Sequence, residues 1–154
     1  MIYGIILIVS LVILDQVTKL IVIDAIPLYT NIPIIDGFFS LSHHVNDGAA
    51  WSIFSGQMAF FYIITIAALI IFGYYFKDVD FKNNKLYSFG ISIIIAGAIG
   101  NFIDRIRVQG VVDFLDFRIF GYDFPVFNVA DICLTVGVTM FIIATIFYNE
   151  KTVG

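Results

Sequence analysis

The sequence predicts an all-α membrane protein of a single domain. Four transmembrane helices carry a small strand-rich cap on one membrane face and an interfacial amphipathic loop or helix. Two observations carry this prediction. The first is composition: of 154 residues, 60 % are hydrophobic and only 13 % are charged, whereas soluble domains run near half apolar and a quarter charged. A chain this short cannot hide so much apolar surface in its own core, so lipid is the natural solvent for the excess. The second is pattern. The apolar residues fall into four runs, each close to the roughly 20 residues that cross a ~30 Å hydrocarbon core. Lipid offers the backbone no hydrogen bonds, so runs of this length are helices. The net charge of −4 comes without any cluster of Lys or Arg, which argues against nucleic acid as a partner. The one cysteine, Cys133, permits no intrachain disulfide and reads as an inert thiol in an apolar run.

The first span covers residues 2–23. It lacks the basic start and small-residue cleavage site of a signal peptide, and Asp15-Gln16 interrupts its apolar stretch. The second covers 58–76, the third 86–103 and the fourth 129–148. Residues 24–57 contain Pro27, Pro33, Gly37, Gly48 and Gly56 and alternate as Phe39-Ser40-Leu41-Ser42; this is the expected strand-rich cap. Residues 104–127 mix acids with Phe114, Phe117, Phe120, Tyr122 and Phe124, which predicts an amphipathic segment lying at the interface. Four spans put both termini on one side. Lys77, Lys82, Lys85 and Lys151 favour the cytoplasm for that side, but Lys19, Arg105, Arg107 and Arg118 oppose them on the other. Charge therefore leaves the orientation open.

The polar residues inside or beside the spans carry the functional signal, because a charge in mid-bilayer costs at least about 2.5–3.5 kcal/mol. Asp15 and Lys19 lie four apart on one face of the first span. They read first as a buried ion pair that fixes helix packing, since a satisfied pair makes a poor catalyst. Asn101, Asp104 and Arg105 share a face at the end of the third span; gripping an extended peptide and snorkelling to the interface stand as equal readings. Asn46-Asp47-Gly48 is turn chemistry, followed by small residues that admit a close backbone. His43-His44 invites a metal reading, but adjacent residues of a strand point apart and no third ligand follows. Asp113, in Gly110-Val-Val-Asp-Phe, and Asp131, in the first turn of the fourth span, are the candidate catalytic pair. Two carboxylates in a poorly hydrated site cannot both ionise easily, so one keeps a proton while the other acts as base. Asn128, three residues before Asp131, is a candidate helix cap. Spacing alone does not bring Asp113 and Asp131 together. A proton or ion pathway built on intramembrane carboxylates is the alternative from a different class.

Five strings change the balance: Asp15-Gln-Val-Thr-Lys19, Asn46-Asp-Gly-Ala-Ala-Trp51, Gly100-Asn-Phe-Ile-Asp-Arg105, Gly110-Val-Val-Asp-Phe114 and Phe127-Asn-Val-Ala-Asp131. In these strings, taken in order over nearly the whole chain, the sequence resembles the lipoprotein signal peptidases, also called signal peptidase II. The departures are Trp51, where phenylalanine is commoner, and His43-His44 before the asparagine motif. The resemblance implies an aspartyl endopeptidase with Asp113 and Asp131 as its catalytic aspartates. It implies a substrate, a diacylglyceryl-modified prolipoprotein, cut on the N-terminal side of the modified cysteine. Asn46 and Arg105 would grip the substrate backbone and Asn101 and Asn128 would flank the dyad. Gly48, Asp104, Ala130, Asp15 and Lys19 would support the site. It further implies no metal or cofactor and sensitivity to globomycin-type inhibitors. The expected setting is the bacterial cell membrane, with membrane lipid as surroundings, cytoplasmic termini, an extracytoplasmic cap, a site near the outer leaflet and a monomer as the working unit.

Overall fold

The computed structural model describes residues 1–48, 54 and 56–152. Among the described residues, four helices are long and apolar enough to cross a membrane: α1 (Ile2–Ala25), α2 (Met58–Tyr75), α3 (Lys85–Val108) and α4 (Val129–Thr152). Between them lie four short strands, β1 (Asn31–Ile35), β2 (Phe39–Asn46), β3 (Val111–Ile119) and β4 (Tyr122–Asp123). They form one antiparallel sheet in the order β1-β2-β3-β4. The first and third spans run further than their apolar runs suggest, to Ala25 and Val108. Asp104, Arg105 and Arg107 therefore sit in the last turns of α3, where cations suit the helix dipole.

The helices obey lipid rules rather than water rules. Ile6, Val9 and Ile13 of α1, Ile63 and Ile70 of α2, and Ile132, Val136 and Ile143 of α4 all point outward. With lipid on both sides of an apolar surface, helix association comes from close packing rather than from water exclusion. Helix α3 supplies that packing: Gly90, Ile91, Ile94, Ala96, Gly97, Ala98 and Gly100 are buried along its length. A Cβ on Gly97 would stand 2.5 Å from the Ala130 carbonyl oxygen and 3.0 Å from the Leu134 nitrogen. Backbone there touches backbone, and the start of α4 is fixed against the middle of α3.

Residues 104–127 depart from the expected interfacial loop or helix. After α3 ends, the segment becomes β3 and β4. The spacing of Asp113 with Asp116 and Phe114 with Phe117 imitates a helix face. The β-branched start Val111-Val112 and a waiting partner strand decide otherwise. Strand β3 pairs with β2 from Asn46↔Val111 to Phe39↔Phe117, with a register shift between Leu41 and His44. The expected strand-rich cap and the second loop are thus one sheet. Phe114 packs with Val22 and Ile26 and beside Leu41, Leu115 and Val129, which joins the sheet to the ends of α1 and α4. The turn into β3 is tight: Gln109 takes the left-handed position at φ 53°. Gly110 follows because a Cβ there would meet Val45 at 2.7 Å and the Asn46 carbonyl at 3.0 Å.

The helix contact can be tested with two glycines. Gly97→Ala forces α3 and α4 apart and is expected to cost about 1–3 kcal/mol, seen as a melting temperature lowered by several degrees in detergent. Gly73→Ala, with nothing within 4 Å of the new methyl, should melt at or slightly above the parent temperature.

Candidate functional site

The site begins with a cation. The Lys19 ammonium is 0 % exposed. It donates to Asp15 Oδ2 at 2.9 Å and Asn101 Oδ1 at 3.1 Å, and lies 2.8 Å from Asp104 Oδ2. Three acceptors match the three protons of an ammonium. The two carboxylates reach onward. Asp15 Oδ1 accepts the Ala130 N–H at 2.9 Å, one of the donors left over at the start of α4. Asp104 Oδ2 accepts the Val112 N–H at 3.1 Å. One ion cluster thereby ties α1 to α3, α4 and β3. A Cβ at Gly100 would meet Asp15 Oδ2 at 2.6 Å, so the glycine makes the room the carboxylate occupies. Gln16, which the motif reading passed over, bridges the cluster. Its amide nitrogen donates to Asp15 Oδ2, the Gly100 carbonyl and Asp104 Oδ1 at 3.0–3.1 Å. A polar amide inside a span was its signal.

The Asn101 side chain turns the cluster toward the cavity. Its oxygen faces Lys19 while its Nδ2 donates to Asp131 Oδ1 at 2.7 Å. Asp131 is in the first turn of α4, and Asn128 caps that turn. The Asp131 N–H donates to Asn128 Oδ1 at 3.0 Å, and the Asn128 N–H donates back to Asp131 Oδ2 at 3.2 Å. This reciprocal pair is a capping box. The remaining Asn128 group, Nδ2, donates to Asp113 Oδ1 at 2.6 Å. Asn46 Nδ2 donates to Asp113 Oδ2 at 3.1 Å, and Asn46 Oδ1 accepts the Gly48 N–H at 2.9 Å. Asn128 therefore bonds both candidate aspartates. Burial first, and the charge of Asp131 second, push the Asp113 carboxyl from its ordinary 3.8 up to about 7, against the opposing pull of the Asn46 and Asn128 amides.

Both aspartates open onto one cavity of about 540 Å³, shared with Asn46, Gly48, Asn101 and Arg105. Its other walls include Phe61, Ile64 and Ala68 of α2, Leu134 of α4, and Phe124 to Phe127. Arg105 lies over the Phe61 ring, 4.9 Å from its centroid, and its carbonyl accepts the Tyr62 hydroxyl at 2.8 Å. Asp15, Lys19, Asp104, Asn128 and Ala130 stand behind this surface and hold it. Ala49, Ala50 and Trp51 of the asparagine motif lie outside the described residues. His43 and His44 point apart: the His43 Nδ1 is 2.8 Å from the Ile26 carbonyl and His44 meets the Tyr29 ring edge-on. No group of three His, Cys, Asp or Glu side chains gathers as a metal site among the described residues.

Fold and site together define a multi-span membrane protein with a carboxylate-lined cavity at one end of its helices. Comparison with known proteins narrows this class. The family profile of signal peptidase (SPase) II matches residues 7–147. The chain belongs to the signal peptidase II family. Lipoprotein signal peptidases of two Staphylococcus aureus strains are 48 % and 49 % identical, over 92 % of this chain and 86 % of theirs. Two solved bacterial membrane enzymes share the fold. One, determined in meso at 2.3 Å resolution, has a TM-score of 0.87 and 46 % identity over 97 % of this chain and 90 % of its own. The other, at 1.9 Å, has a TM-score of 0.81 and 48 % identity over 93 % and 92 %.

The cation anchor is open to test. Lys19→Met leaves Asp15 and Asp104 buried against each other and is expected to cost about 3–5 kcal/mol. Adding Asp15→Asn to that variant should recover part of the loss. A Lys19→Met protein that melts like the parent would show that the cluster is not the anchor.

Proposed function

We propose that this chain is a lipoprotein signal peptidase that cuts prolipoproteins on the N-terminal side of their diacylglyceryl-modified cysteine. The observation that carries the reading is a pair of carboxylates, Asp113 buried and Asp131 half-buried, lining one cavity at one end of membrane-spanning helices. Family membership supports the substrate. Asp113, raised to about 7, is protonated in about half of the molecules at neutral pH, and in that form its O–H donates a hydrogen bond to the scissile carbonyl oxygen. Asp131 acts as the base: it takes a proton from a water molecule as the water oxygen attacks the carbonyl carbon. In the collapse that follows, Asp131 passes the proton it took from water to the leaving nitrogen, the C–N bond breaks, and the Asp131 carboxylate is restored. The titration belongs to the pair as a whole. Arg105, steadied on Phe61 and through Tyr62, and Asn46 hold the substrate backbone in place.

The apolar walls from α2 and α4 suit the lipid chains of the modified cysteine, which must be met from within the bilayer. The dyad then lies near the outer leaflet, with an extracytoplasmic sheet and cytoplasmic termini. The protein works as a monomer without a metal or cofactor, and globomycin-type inhibitors occupy the same cavity. A proton pathway would need ionisable groups through both leaflets. Among the described residues of the spans, the buried ones gather at this one end.

Purified protein incubated with a diacylglyceryl-modified prolipoprotein should release the signal peptide. Asp113→Asn and Asp131→Asn should each fold and each lose at least about 10³-fold in rate; full activity in either would sink the dyad. The pH dependence has a defined sign. Loss of the Asp113 proton removes the acid, so the rate should fall as pH rises through about 7. Stability follows the same group: a raised carboxyl pKa stabilises the fold at low pH and loses that contribution as pH climbs through the folded value. Asp113→Asn should therefore melt like the parent near pH 4 and above it beyond pH 7, as read by thermal unfolding across that range.

A further inference from the structure

We infer that the substrate chain beyond the modified cysteine leaves the dyad along a second groove over β2 and β3, and that this groove selects for basic side chains. The inference rests on the peptidase reading above. The dyad cavity does not end at Asp113. Asn46 and Asp113 line it and also line a neighbouring cavity of about 310 Å³. That second cavity shares His44 and Asp123 with a third of about 510 Å³, which reaches the tip of the β1–β2 hairpin. Pro125 and Val126 line all three, so the path bends round one short segment. From Asp113 to Arg118 along β3 is about 17 Å at ~3.3 Å per residue. An extended peptide would place about five residues there.

The two ends of this path differ in chemistry. At the helix end the walls are apolar side chains of α2 and α4, which suit the signal segment and the lipid. The residues after the cysteine are bound for water and need a polar way out. Outside the dyad, the second and third cavities carry Asp36, Asp47, Asp116 and Asp123 against a single guanidinium, Arg118. Among the described lining residues, four carboxylates and one guanidinium leave a net charge of −3, His44 not counted. Arg118 is itself paired to Asp123 at 2.6 Å, and Asp116 is fixed by the Ser42 hydroxyl at 2.9 Å. Carboxylates along the path of an extended chain attract Lys and Arg and repel Asp and Glu, which sets preference through complementarity.

The test uses three diacylglyceryl-modified prolipoproteins that differ only at the third to sixth residues after the cysteine, set to Lys, Ser or Glu. The Lys substrate should exceed the Glu substrate in kcat/KM by about three- to tenfold, mostly through KM, and the gap should close as salt rises. Asp36→Lys combined with Asp123→Lys, both at exposed positions, should reverse the order. As a readout independent of that variant's folding, a photoreactive residue placed fifth after the cysteine should label β1 or β2 of the Asp131→Asn protein. Equal kcat/KM for all three substrates, or labelling confined to α2 and α4, would overturn the groove while leaving the peptidase reading intact. Failure to cut any of the three would instead overturn the peptidase reading and the groove with it.

Discussion

One ammonium group organises this protein. Lys19 is sealed from solvent and saturated by Asp15, Asn101 and Asp104. Left alone in a poorly hydrated interior, any of these charges would be intolerable. Together they form a junction from which four chain segments are held: α1 carries the ammonium, α3 the facing amide and acid, and α4 and β3 each hand over a backbone N–H. Replacing a whole buried ion cluster by well-packed apolar groups is often neutral for stability, but removing one member alone leaves buried charge without compensation. The cluster also has a direction. Asn101 passes it on to Asp131, so the charged anchor and the cavity carboxylates are successive layers of one hydrogen-bonded network.

Helix packing and the network depend on each other. The glycines of α3 let α4 approach to backbone contact. Only at that distance can Asp15 reach the Ala130 N–H, and only then does Asn128 come to the edge of β3. In a membrane, close contact of this kind is what holds helices together. The sheet contributes in the same way: Gly110 admits Asn46 alongside the start of β3, and Asn46 then reaches Asp113.

The spans were legible because hydropathy and length act locally: each run of apolar residues declares itself without reference to the rest. The cap was legible as strands from alternation in Phe39-Ser40-Leu41-Ser42. The segment after α3 was not, because Asp113/Asp116 and Phe114/Phe117 fit a helix period as well as a strand, and only the partner strand β2 decides between them. The ion pair of Asp15 with Lys19 followed from spacing, but its third partner Asp104 lies 85 residues beyond Lys19 in the sequence and no local pattern announces it. Gln16 did carry a local signal as a polar amide inside a span, but its partners Gly100 and Asp104 lie just as far along the chain. Asp113 and Asp131 stood out as acids near a membrane face; the motif strings brought them together, and Asn128 is the physical link that spacing could not reveal.

The way Asn128, Asn46 and Asn101 hold the two carboxyl groups has a further consequence. Each of the four carboxyl oxygens already receives one N–H: Asp113 from Asn128 and Asn46, Asp131 from Asn101 and the Asn128 backbone. A carboxyl group clamped at both oxygens cannot rotate to present a fresh lone pair. A proton passing between such groups and a bound molecule must move along fixed lines, with almost no rearrangement of the surrounding dipoles. Low reorganisation energy is the hallmark of a preorganised electrostatic environment. Here it is produced by three neutral amides, one of which, Asn101, is itself held by the Lys19 charge a layer behind the cavity wall.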